Sequence, residues 1–287
     1  MPEVLPVSDQ EFLDAGLLLS RSYDGAARWI MMAGYLNSLK ISQIDDVRGY
    51  LYLSRLPDVE KSLDNYRNES SATQEKMREA LVQMCLNNQS WMSFDRKACV
   101  DAVQNAVKND NLFNNYKRNL SKAQVNYNEF YQLDRGLMRD DITWSPRDPQ
   151  TLHYPFLKPS KSDLVSYLSD NIEDEFKMPG FQLRLDFTSQ DNGEVSRLVY
   201  QTGVTPHAER GRIVMDENEP ITEWSSQWTI RHEFGHLLGF PDCYVEFYDD
   251  SLKAIVNYQL DVTDLMCSRK GVFQKHHYDR LKAAYYK

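Results

Sequence analysis

The stretch from Arg231 to Tyr244, R-H-E-F-G-H-L-L-G-F-P-D-C-Y, constrains this chain more than any other. His232 and His236 are four residues apart. On a helix that spacing puts both imidazoles on one face, one turn apart, able to bind one zinc ion. Glu233 follows the first histidine directly. Its carboxylate can reach a water beside the ion without becoming a ligand, take the proton as that water attacks a carbonyl, and return it to the leaving amine. Trp228, Ile230, Leu237 and Leu238 supply the apolar anchoring of a buried helix. Gly239 can adopt the left-handed conformation that ends a helix and turns the chain sharply. The turn would bring Asp242 back as a third ligand. A catalytic zinc takes three protein ligands and keeps one position for water, and His232, His236 and Asp242 make that count. The plain alternatives are a helix with chance histidines, or a more distal carboxylate among Glu246, Asp249, Asp261 and Asp264.

The rest of the chain is patterned in two halves. Up to about Arg135 it reads as helical. Ser8 with Glu11 and Ser71 with Gln74 have capping-box spacing, and Ala98, Ala102, Val103, Ala106 and Val107 recur at helical intervals. The next stretch carries Pro146, Pro149, Pro155 and Pro159, which stop helices, and reads as a linker or a first irregular pass. Leu164, Leu168, Ile172 and Phe176 then predict a helix that Pro179-Gly180 ends. Phe181, Leu183, Leu185 and Phe187 alternate with polar residues as a half-buried strand does, and Glu194–Thr202 and Gly211–Asp216 are further strands. The motif helix follows from about Ser225. The expected class is α+β: a mainly helical domain over residues 1–140 and a catalytic domain over 141–287.

Composition excludes several classes. An apolar fraction of 41% in 287 residues provides for a core and rules out disorder over most of the chain. The longest nearly apolar run, Trp29 to Leu36, is far short of the roughly 20 residues of a membrane-spanning helix. Acids outnumber bases 42 to 33, which argues against nucleic-acid or anionic-membrane partners. The four cysteines have no C-x-x-C spacing and form two local couples, Cys85 with Cys99 and Cys243 with Cys267. Two disulfides in an exported protein is the sharper reading; four buried thiols in a cytosolic one is the bland alternative. Residues 1–10 lack a basic region followed by an apolar one, so the reading is a cytosolic protein or a mature exported form.

The extended pattern H-E-x-x-H-x-x-G-x-x-D resembles that of the metzincin clan of zinc endopeptidases, with Asp242 where the clan usually has a third histidine, as in its snapalysin-like branch. Met266, within Asp264-Leu265-Met266-Cys267, matches the clan's methionine turn, and His277–Tyr286 its final helix. The resemblance covers about Asp163 to Lys287. It implies a twisted sheet with an active-site helix, one catalytic zinc, protein or peptide substrates, and a secreted or periplasmic location. A Cys243–Cys267 bond would then pin the ligand loop to the turn. Several metzincins place a tyrosine two residues after the methionine; that position is Ser268, with Tyr244, Tyr258 and Tyr278 as substitutes. The competing reading is a binding or inhibitory module. In it the helical half recognises a partner, or blocks the cleft as a prodomain through a free Cys99 thiol.

Overall fold

The computed structural model describes residues 34, 38, 39 and 42–287, apart from 135–137, 192, 219, 220, 222, 223, 250–253 and 269. The Ser8–Glu11 capping box lies outside the described residues. The architecture is mixed α and β. The chain divides into two compact units: one takes the residues up to Glu129 together with Val245–Tyr258, and the other takes Phe130–Tyr244 and Gln259–Lys287. The division falls before the expected position near residue 140, and a segment of the expected catalytic half belongs with the helices.

The first unit holds α1 (Arg48–Ser54), α2 (Val59–Asp64), α3 (Ser71–Leu86), α4 (Arg96–Lys108) and α5 (Leu112–Glu129). The cap of α3 is Ser70, one residue before the expected one. Its backbone is still extended and its hydroxyl accepts the Thr73 N–H at 3.2 Å, whereas Ser71 is already helical. Asp95 caps α4 through the Ala98 N–H. Val103 and Ala106 of the predicted stripe pack with Leu81, Met84 and Cys99 in one core. Cys85 and Cys99 are disulfide-bonded with their Cα atoms 5.7 Å apart, joining the end of α3 to the start of α4. Strands β8 (Tyr244–Asp249) and β9 (Ala254–Gln259) pair as a two-stranded sheet. Phe247 of β8 is buried, and the Arg48 guanidinium lies 4.6 Å from its ring centroid and 5.6 Å from that of Tyr258.

The second unit is built on β1 (Thr143–Ser145), β2 (Asp148–Leu157), β3 (Lys177–Met178), β4 (Phe181–Thr188), β5 (Arg197–Gln201), β6 (His207–Glu209) and β7 (Arg212–Asp216). Its helices are α6 (Ser162–Leu168), α7 (Trp224–Leu237) and α8 (Lys275–Tyr285). β2 pairs parallel with β4 and antiparallel with β1, and β7 pairs parallel with β5 and antiparallel with β6. A parallel bridge from Phe156 to Ser196, with the Leu157 N–H donating to the Ser196 carbonyl at 2.7 Å, joins the two sheets. The strand order across the join is β4-β2-β5-β7-β6, and β6 alone runs against the others.

β2 overturns the reading of the proline stretch as linker or irregular chain. Leu152, Tyr154 and Phe156 alternate inward and are fully buried. Pro155 is tolerated because its nitrogen shares a side with Leu157, facing the gap where β1 has ended and β5 has not begun; the ladder to β4 loses no bond. α6 continues through a π turn at Ser169–Glu173, which carries Leu168, Ile172 and Phe176 into the core. β7 is paired on both sides, and among the described residues the edge strand is β6.

Candidate metal centre

α7 carries the histidines because its two faces differ. Ile230, Phe234, Leu237 and Leu238 are buried, with Phe234 packed edge-on to Tyr154 and Phe176 at centroid distances of 4.8 and 5.4 Å. The other face presents His232 and His236, whose rings stand 4.8 Å apart and nearly perpendicular. The helix ends in a Schellman motif: the Phe240 N–H donates to the Gly235 carbonyl at 3.1 Å and the Gly239 N–H to the His236 carbonyl at 2.9 Å. Gly239 has φ +95°, which a side chain would strain. The chain reverses there and returns Asp242 to the histidines.

The hydrogen bonds of the two rings fix which nitrogen is available. His232 Nδ1 lies 3.1 Å from the Leu265 carbonyl oxygen, and His236 Nδ1 2.7 Å from that of Phe240. A carbonyl only accepts, so each Nδ1 carries a proton, which leaves each Nε2 as the atom that can offer a lone pair. Asp242 Oδ1 lies 3.0 Å from Nε2 of His232 and 3.4 Å from Nε2 of His236. That oxygen is shielded from solvent and aligned for a hydrogen bond with neither ring. Three electron-pair donors thus converge within 4.8 Å of one another, an arrangement that repels unless a cation or a proton lies among them. Two imidazoles and a carboxylate suit zinc.

Titration follows the same geometry. Burial pulls the His236 imidazole down, but the Asp242 carboxylate outweighs it and holds the ring above its ordinary range. Burial raises Asp242 in turn, and the two histidines overcome it, leaving the carboxyl far below the usual carboxylate range. Glu233 is buried, and burial pushes its carboxyl up against the opposing pull of His232 and His236. The nearby Ala208 backbone N–H of β6 pulls it slightly back down, so the edge strand and Glu233 are neighbours.

Beneath the rings lies Met266, 2% exposed. A Cβ on Gly235 would overlap its sulfur, so a residue without a side chain stands between the two histidines. The Cys243 N–H donates to the Met266 carbonyl at 3.1 Å, and Cys243 is disulfide-bonded to Cys267 with Cα atoms 4.4 Å apart. The loop that carries Asp242 is therefore tied to the turn that carries Met266 by a hydrogen bond and a covalent bond.

The other sequence candidates fall elsewhere. Cys99 is bonded to Cys85 and offers no free thiol. Tyr278 is committed to an aromatic cluster with Trp144 and Phe181, and Tyr258 belongs to the helical unit. Asp261 Oδ1 accepts from Thr263, and Asp264 serves the turn itself. Two further groups of metal-ligating residues are present among the described residues. In one, Cys243 and Cys267 are bonded to each other and have no thiolate to give. In the other, the Gln274 N–H donates to His277 Nδ1 at 2.9 Å, which puts the proton on Nε2, and that N–H donates to Asp264. The chain matches no protein-family model, no curated protein and no solved structure.

Proposed function

We propose that this protein is an exported, zinc-dependent endopeptidase of metzincin type, with His232, His236 and Asp242 as ligands and Glu233 as general base and acid. The observation that carries the reading is the convergence of the two Nε2 atoms and an Asp242 oxygen without a hydrogen-bond partner beside a buried glutamate. Zinc, when bound, would polarise the scissile carbonyl and acidify the attacking water. The chain's own groups do the rest. The Leu265 and Phe240 carbonyls hold the rings in the ligand tautomer. An anionic third ligand leaves the centre less able to acidify water than three imidazoles would, so more of the proton transfer falls to Glu233. Burial makes that carboxylate more basic, suited to taking the water's proton and returning it to the departing amine nitrogen. β6 gives an extended peptide an open strand edge next to Glu233. The antiparallel edge and the methionine under the helix support the metzincin assignment. Two disulfides, and the absence among the described residues of a helix long and apolar enough to cross a membrane, fit export.

Glu233→Gln tests the mechanism. The variant is expected to keep its zinc and lose about 10²- to 10⁴-fold in peptide turnover. Turnover at the wild-type rate would refute the role of Glu233.

A further inference from the structure

We infer that Asp264 is a positioning residue for the metal ligand His232, acting through the turn between them. The inference rests on the ligand set proposed above. Asp264 is 1% exposed, a carboxylate placed where a charge is costly unless bonded. Its Oδ1 accepts the Met266 N–H at 2.7 Å and lies 3.2 Å from His277 Nε2, the ring nitrogen that carries the proton. Its Oδ2 lies 2.7 Å from His276 Nε2. Its backbone carbonyl accepts the Cys267 and Ser268 N–H groups, each at 3.1 Å. Leu265 therefore sits between two fixed points. Its own N–H donates to the Val272 carbonyl at 3.2 Å, and its carbonyl is left facing His232 Nδ1 at 3.1 Å.

The direction of that carbonyl decides the ring. If the Met266 N–H loses its partner, the Leu265–Met266 peptide can rotate, and the acceptor that fixes the His232 tautomer turns away. Asp264 touches neither water nor substrate and is no zinc ligand. It acts by holding one peptide plane, with α8 bracing it through His277.

The test compares Asp264→Ala, Asp264→Ser and His277→Gln in the full chain. Serine restores an acceptor two residues before the Met266 N–H, as short hydroxyl turns do. His277→Gln loosens the brace but leaves the Asp264–Met266 bond. Zinc affinity is read by competition with a chelator, alongside thermal midpoint. Asp264→Ala is expected to weaken zinc about 10- to 100-fold, the range for residues that orient ligands. Asp264→Ser should recover most of it, and His277→Gln should lose stability with little loss of zinc. Equal weakening in all three, or wild-type affinity in Asp264→Ala, overturns the inference. Should the alanine variant not fold, Asp264→Leu, close in size and without an acceptor, replaces it. A wild-type chain that takes up no zinc refutes the ligand set alone. Hydrogen exchange of the Met266 amide, measured without zinc, then decides Asp264: about tenfold faster exchange in Asp264→Ala than in Asp264→Ser supports its hold on the turn, and equal rates refute it.

Discussion

At the scale of single residues, the centre depends on groups that a sequence shows and groups that it hides. His232, Glu233, His236 and Asp242 were legible because helical spacing and a terminating glycine are written in side chains. The Leu265 and Phe240 carbonyls and the Ala208 N–H were not, because every residue carries such groups and only the fold aims them. Asp264 and His277 are the intermediate case: their types were visible, but nothing in their spacing showed that they bond each other. Their burial has a consequence for pH. Burial depresses the His277 imidazole below its ordinary value of 6.5, with Asp264 only partly restoring it. The unfolded chain then binds this proton more readily than the folded one, so stability is full above 6.5 and falls as pH drops below it. Thermal midpoints taken from about pH 7.5 down to 5 should decline in the wild type, and His277→Gln should remove that share of the decline. Parallel curves for the two would show that His277 does not titrate differently on folding.

At the scale of elements, hydrophobic period marks the regular segments and leaves the irregular ones unmarked. Phe181–Phe187 alternated and is β4; Leu164–Phe176 repeated every four residues and is helical, with a π turn that no spacing announced. β2 was hidden by its prolines, whose effect depends on which side of the strand has a partner. The three-residue β6 is too short to show a period, yet it forms the edge beside Glu233. α7 meets the methionine turn through Gly235, and that contact gives a second prediction. Gly235→Ala should cost about 1–3 kcal/mol in unfolding free energy, because the methyl group overlaps the Met266 sulfur. Adding Met266→Ala should relieve part of that cost, so the two changes will not add in a double-mutant cycle. Strict additivity would mean that the two elements are not in contact there.

At the scale of the whole molecule, the division of the chain bears on the role of the helical half. Two patterned halves were visible in the sequence. What was not visible is that Val245–Tyr258, which begins three residues after Asp242, belongs to the helical unit. Pairing across such a distance in sequence leaves no local signal. The Leu260 N–H donates to the Cys243 carbonyl at 3.1 Å, closing the base of this excursion next to the ligand loop. A prodomain can be removed without loss; a unit that includes Val245–Tyr258 is expected not to be. Removal of residues 1–129 would leave Phe247 and Tyr258 without Arg48, and is expected to give an insoluble or protease-sensitive chain. A folded, more active fragment would instead favour the inhibitory reading.

The zinc centre is tested first by the metal content of the purified chain, compared with that of Asp242→Ala. About one zinc per wild-type chain is expected, lost or sharply weakened in the variant, as removal of one of three ligands requires. No zinc in the wild type, or full retention in Asp242→Ala, would contradict it.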